Sequence, residues 1–194
     1  MKPRLLLPVI IVLAATLLAG CGHRRPRPCS RSSQSSLPGV SIESLGQCRF
    51  TRAEARRGLE IPYQIVITDD VPAEAHQESG CDQPGPGGLI LTARLAGSHH
   101  SYCDCDRGGC PPTVPPPLVD LRPGIYRSVF TWDGLEWNGP SDTDPPPRRR
   151  PFPAGAYTLT LSGVGYLGPP PKPYAVDHSI RFAVSAVADI ELVP

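Results

Sequence analysis

One alternation governs the last part of the chain. Val176, His178, Ile180, Phe182, Val184, Ala186, Ala188, Ile190 and Leu192 share one phase of a period of two, the spacing that lines side chains along one face of an extended strand. At about 3.3 Å per residue, a straight strand of that length runs over roughly 50 Å. That is longer than a compact domain of this size, so a bend is expected near Ser185 to Ala188. The habit recurs in LEIPYQIVIT, where Leu59, Ile61, Tyr63, Ile65 and Ile67 oppose Glu60, Gln64 and Thr68. GGLILTARLAG, GIYRSVFTW and AYTLTLSG follow it; in the last, Tyr157, Leu159 and Leu161 alternate with Thr158, Thr160 and Ser162. Half-apolar strands punctuated by Gly and Pro bury their faces only against a second sheet, so the expected fold is all-β, an antiparallel sandwich. One short helix interrupts it. Thr51-Arg-Ala-Glu54 has capping-box spacing, which predicts a helix from Arg52 to Arg57 stopped by Gly58.

Prolines number 26, well above the usual share, and they cluster in PPTVPPP, DPPPRRRPFP and GPPPKP. Such runs favour stiff segments without internal hydrogen bonds, so they read as long connectors between strands. Charge is balanced, 19 Lys and Arg against 18 Asp and Glu. A chain so close to neutral lacks the basic excess that nucleic-acid binding requires.

The amino terminus reads as an export signal. Lys2 and Arg4 precede an apolar run from Leu5 to Leu18, and small residues lead to Cys21. At about 14 residues, and interrupted by Pro8, the run is shorter than the roughly 20 that span a bilayer. Leu18-Ala19-Gly20-Cys21 resembles the lipobox of bacterial lipoproteins. That resemblance, confined to residues 1–22, implies cleavage before Cys21 and attachment of a diacylglycerol and acyl chains such as palmitate to it. At about 0.8 kcal/mol per buried methylene, two or three chains give lasting attachment. Gly22 stands where an aspartate retains many Gram-negative lipoproteins at the inner membrane, so the resemblance implies outer-membrane sorting in a host with two membranes. The expected organisation is a signal peptide over 1–20, a lipidated tether over 21–46, rich in Ser, Arg and Pro, and one sandwich domain over 47–194.

Cys29, Cys48, Cys81, Cys103, Cys105 and Cys110 remain. An even number in an exported chain points to disulfides. Cys103 and Cys105 are too close to pair comfortably with each other, and Cys81 is the favoured partner for the 103–110 cluster. With His99 and His100 alongside, that cluster also raises a metal-binding module, although its Cys spacing is not that of a common zinc finger. Asp104 and Asp106 lack the remaining positions of a calcium loop and read as solvated loop residues.

FTWDGLEWNG continues, after an interruption, into FPAGAYTLTLSG. Asp-Gly supplies a turn, Trp132 can cap the core while its indole N–H finds a carbonyl, and Tyr157 opens the return strand. Trp132, Asp133, Gly134, Gly139, Pro153, Gly155 and Tyr157 together resemble the hairpin of the bacterial intracellular proteinase inhibitor family and of the immunoglobulin-like repeat of flagellar hook-capping proteins. The resemblance covers about 30 residues directly and departs at the insert PSDTDPPPRRR. It implies an immunoglobulin-like fold; an inhibitory role does not transfer with a fold.

Arg148, Arg149 and Arg150, set between prolines, are the candidate partner-binding residues, able to meet an acidic protein, lipid headgroups or a glycan. As a plain alternative they form a solubilising loop tip. No Gly-x-Ser-x-Gly elbow, His-Glu-x-x-His pair or phosphate loop occurs, and His178 reads as a strand histidine. The expectation is a non-enzymatic envelope lipoprotein without cofactor. It would be held to a membrane by its lipid and would bind an envelope or extracellular partner through loops at Gly97–Pro117 and Asp133–Pro153, or serve a structural role. The alternatives are a protease inhibitor presenting Pro140–Pro153 and the metal-binding module.

Overall fold

The computed structural model describes residues 31–44, 46–78, 85–104, 118–137, 149–168 and 180–194. In chain order the strands are β1 (Arg31–Ser35), β2 (Val40–Ser44) and β3 (Arg49–Thr51), then the helix α1 (Arg52–Arg57). There follow β4 (Leu59–Ile67), β5 (Ala75–Glu78), β6 (Thr92–Gly97), β7 (His100–Asp104), β8 (Leu118–Asp120), β9 (Gly124–Trp132), β10 (Gly155–Leu167) and β11 (Ile180–Val193). They form two sheets.

The larger sheet is built on β10 and β11, paired antiparallel from Gly155↔Leu192 to Leu167↔Ile180. β1 lies antiparallel along the outer edge of β11, and β3 runs parallel to its last residues. On the other side β10 pairs with β6 and β5, which carry β7 and β8 respectively. The smaller sheet is β2-β4-β9, antiparallel throughout. In immunoglobulin terms β2, β4 and β9 stand as A, B and E, facing β7, β6, β10 and β11 as C′, C, F and G. The protein is therefore an all-β sandwich with immunoglobulin-like strand order.

Burial follows the alternation. Leu59, Ile61, Ile65 and Ile67 of β4 point into the core, as do Tyr157, Leu159 and Leu161 of β10 and Phe182, Val184, Ala186, Ala188, Ile190 and Leu192 of β11. The inward phase of β10 then continues through two glycines, Gly163 and Gly165. A side chain at Gly165 would fall inside the Phe182 ring and against the His76 carbonyl, so the glycine makes room for the largest buried ring of the neighbouring strand. Buried Gln77 ties that end of the sandwich together: its Nε2 donates to Val164 O at 2.7 Å and to Ile90 O at 3.3 Å.

The helix expectation holds at both ends. Thr51 Oγ1 accepts from Glu54 N at 3.1 Å, Thr51 N donates to Glu54 Oε2 at 2.6 Å, and Gly58 closes α1 with φ 99°. Those bonds to Thr51, backbone first, hold the Glu54 carboxyl below its usual value, with Arg57 adding to the effect.

One expectation is corrected. Residues 31–44, assigned to the tether, are strands of the sandwich, and Leu37, Val40 and Ile42 are core. Ser-rich β1 joins through its backbone alone, with all five side chains exposed, so no apolar pattern marks it. Both β10 and β1 pair with β11 without interruption through Ser185–Ala188; Val176 and His178 lie outside the described residues.

Gly165→Ala should destabilise the domain by about 1–3 kcal/mol, the usual effect of overpacking a filled core, read as a lower urea midpoint. Val164→Thr is the control on the same strand end, because that side chain is exposed and the change keeps a β-branched residue; its effect should stay within about 0.5 kcal/mol.

Candidate functional site

The two loops singled out in the sequence meet at one end of the sandwich. β6 and β7 are joined by the two residues Ser98 and His99, with φ of 48° and 63°, and Gly97 pairs with His100 across the turn. Positive φ at both central residues is the geometry of a type I′ hairpin. Asn-Gly is the usual sequence for it, so Ser-His gave no signal. His100 to Asp104, expected within a loop, accordingly form a strand.

Beyond β9 the chain makes a short arm. Asp133 Oδ1 accepts from Leu135 N at 3.2 Å, and Gly134 turns with φ 77°. Glu136 N donates to Arg150 O at 2.8 Å and Phe152 N to Gly134 O at 2.9 Å, closing residues 134–137 against 149–152. Trp137 then extends the larger sheet: its N–H donates to Ser101 O at 3.2 Å, and Cys103 N donates to Trp137 O at 2.9 Å. The outgoing end of the arm is thus fastened at Trp137 to the edge of β7. α1 closes the same end, since a Cβ on Gly134 would lie 3.0 Å from the Ala55 carbonyl carbon.

Apolar contact and charge both hold the arm. Trp132 is buried, and its Nε1 donates to Leu135 O at 2.9 Å. Phe152 packs edge-on to Trp132 at 4.6 Å between ring centres, against Tyr157 at 4.9 Å and against His100 at 5.5 Å. Tyr157 donates its hydroxyl to Pro153 O at 2.8 Å, the contact that a tyrosine corner makes at the start of strand F in immunoglobulin-type sandwiches. Burial raises the Tyr157 pKa above the ordinary phenol value.

Arg149 and Arg150 sit inside this network. Arg149 forks onto Asp133 with bonds of 2.7 and 3.0 Å, donates from Nε to Glu136 O at 3.0 Å and lies over the Trp137 ring at 5.6 Å. Arg150 grips the Glu136 carboxylate at 2.7 and 3.2 Å. His100 Nδ1 stands 2.8 Å from Glu136 Oε1 without a hydrogen bond, a close electrostatic contact that is not an aligned one. The Arg150 bond, followed by the charges of Arg150 and His100, holds Glu136 below its usual pKa against the opposing effect of burial. Both arginines therefore organise the arm. The Arg150 side chain, 70% exposed, keeps an open face while the Arg149 side chain is at 30%.

Glu136, His100, Phe152 and Trp137 belong to no motif. The signal for them is weak but present: Asp133 and Glu136 face Arg149 and Arg150 across the insert, as Leu135 faces Pro151. Cys48 and Cys103 are both disulfide-bonded and do not titrate. Cys21, Cys29, Cys81, Cys105, Cys110, Gly139 and Arg148 lie outside the described residues. Among the described residues no group of three or more His, Cys, Asp or Glu is placed to hold a metal ion, and no helix is long and apolar enough to cross a membrane. No protein-family model, curated protein or solved structure matches the chain.

Two outcomes test the arm. Glu136 binds its proton more weakly in the folded state, so its contribution is complete above the ordinary glutamate range, about 4.3, and is lost as pH falls through its lowered folded value. Thermal stability should fall more steeply below about pH 4 in the parent than in Glu136→Gln, whose melting temperature is already reduced. Trp132→Ala should cost about 3–5 kcal/mol in denaturant melts; a loss under about 1 kcal/mol would contradict its place under the arm.

Proposed function

We propose that this chain is an envelope lipoprotein, acylated at Cys21, whose sandwich is a non-enzymatic binding or structural module. The anchor rests on Leu18-Ala19-Gly20-Cys21 and the basic and apolar segments before it. The observation that carries the binding reading is the fastening of the arm to β7 through Trp137, Ser101 and Cys103. Residues 134–137 and β7, far apart in sequence, are hydrogen-bonded into one edge before any partner arrives. Preorganisation of this kind lowers the entropy lost on association. The partner is a component of the envelope or its surroundings, a protein or a glycan, and the membrane itself through the lipid. Gly22 after the cysteine favours the outer membrane in a two-membrane host.

A bait-loop inhibitor is less well supported. A protease pocket for basic residues needs a free side chain, and the Arg149 guanidinium is bound on Asp133 and on the Glu136 carbonyl. A metal module is disfavoured by Cys103, whose sulfur is in a disulfide and offers no thiolate.

Replacing Cys21 with serine in the producing cell should move the protein from the membrane pellet to the soluble fraction. Retention in the pellet after a carbonate wash would contradict the lipid anchor.

A further inference from the structure

We propose that the side of the sandwich along β9 takes one extended segment of another protein as an added strand. This surface goes beyond the arm and its edge on β7, and it does not depend on the lipid anchor.

The two sheets are unequal in width. β2 packs on β11, and the ladders then set β4 over β10 and β9 over β6. β7, on the far side of β6, has no described strand facing it. The vacancy is a groove of about 220 Å³ whose walls include Leu91, Ala93, Tyr102 and Leu161 on one side and residues 129–131 of β9 on the other. Tyr102 of β7 meets Phe130 of β9 edge-on at 5.9 Å and forms part of its floor. The arm leaves β9 after Trp132 and bonds to β7 at Trp137, so it bounds the groove towards α1.

The near wall is a row of unpaired backbone. Among the described residues β9 pairs with β4 alone, and Pro62 decides which half of its polar groups that ladder uses. Pro62 lies opposite Val129 in an unbroken register, and it has no N–H to give. Its Cδ, which stands where that hydrogen would be, faces away from β9: a Cβ on Gly46, just past β2, would lie 3.0 Å from it. Pro62 and Val129 are therefore a non-hydrogen-bonded pair. Alternation puts the N–H and C=O of Ile125, Arg127, Val129 and Thr131 on the open edge, and those of Tyr126, Ser128 and Phe130 in the ladder. None of those four makes another backbone hydrogen bond among the described residues. Ile125 and Val129 expose their side chains beside this edge, and an edge of that kind is a template for a further strand.

Width and charge select the occupant. A second copy joined edge to edge would drive its own larger sheet into the overhanging β7, because its β9 carries β6 and β7 above it. A single strand carries no second sheet, and at about 4.8 Å from β9 it lies beneath β7. Its inward side chains meet Leu91 and Tyr102 and so are apolar at alternate positions; its backbone supplies affinity by pairing with β9. On the outer face it passes Arg127, the one charged side chain of β9, which makes no ion pair among the described residues. Glu43, in line with Arg127 across the sheet, is two strands away and accepts from Gln64 at 2.7 Å. Glu60 lies further along, opposite Thr131. The fitting strand therefore carries Asp or Glu beside Arg127.

The test uses the full mature chain with Cys21→Ser and reads amide exchange by NMR. In the free protein Arg127, Val129 and Thr131 should exchange at least about tenfold faster than Tyr126, Ser128 and Phe130. Equal protection of both sets would overturn the proposal, assigning the edge to this chain if the protein is monomeric and to a second copy if it is a dimer. A phage-displayed random peptide library is then selected on the same protein, and the tightest binder, made synthetically, is the probe. It should alternate apolar residues, contain an acid, and at saturation slow Arg127, Val129 and Thr131 by about tenfold or more. Val129→Pro removes one edge N–H without touching the β4 ladder and should weaken the peptide by up to about tenfold. Arg127→Glu should weaken it by about fivefold, and Asp189→Asn on the other sheet should leave it within about twofold. A selection without binders, or binders that leave exchange along β9 unchanged, would overturn the proposal.

Discussion

The ladder between β10 and β11 is the constraint on which the remaining structure depends. It is continuous over the whole of β10, and every other strand of the larger sheet attaches to one of its two members or to a strand that does. Its inward face supplies most of one wall of the core, and its register fixes what lies at each end. Gly155 opposite Leu192 sets the arm and α1 at one end; Leu167 opposite Ile180 sets β5 and β8 at the other. A one-residue slip of β11 against β10 would turn Phe182, Val184 and Ile190 outward together.

On this frame the end with the arm is closed in layers. Trp132, Phe152 and Tyr157 stack beneath it, each with its polar atom or backbone neighbour satisfied. Glu136 then draws Arg150 and His100 from opposite sides of the surface. The aromatic contacts and the ion pairs together hold residues 134–137 against 149–152.

Much of this was legible in the chain. β4, β10 and β11 were readable because their periods are long and one face is apolar; α1 was readable because Thr51 and Glu54 specify its first turn. β1 was hidden because Arg31 to Ser35 enter the sheet by backbone pairing and bury no side chain. β7 was hidden because Ser98 and His99 adopt a turn that their residue types do not advertise. At the candidate site, Trp132, Gly134 and Tyr157 were recognisable from turn chemistry, but the roles of Arg149 and Arg150 were not. An arginine run between prolines looks exposed until its acids, 16 and 14 residues earlier, are brought opposite by the arm. Long-range ion pairing leaves no periodic trace.

The central claim is that Cys21 fastens an ordered sandwich to a membrane. Intact mass spectrometry of the protein extracted from native membranes tests it most directly. The account requires a chain beginning at Cys21, heavier than its sequence by a diacylglycerol and its acyl chains. A mass matching an unmodified chain, or one that retains residues 1–20, would contradict it.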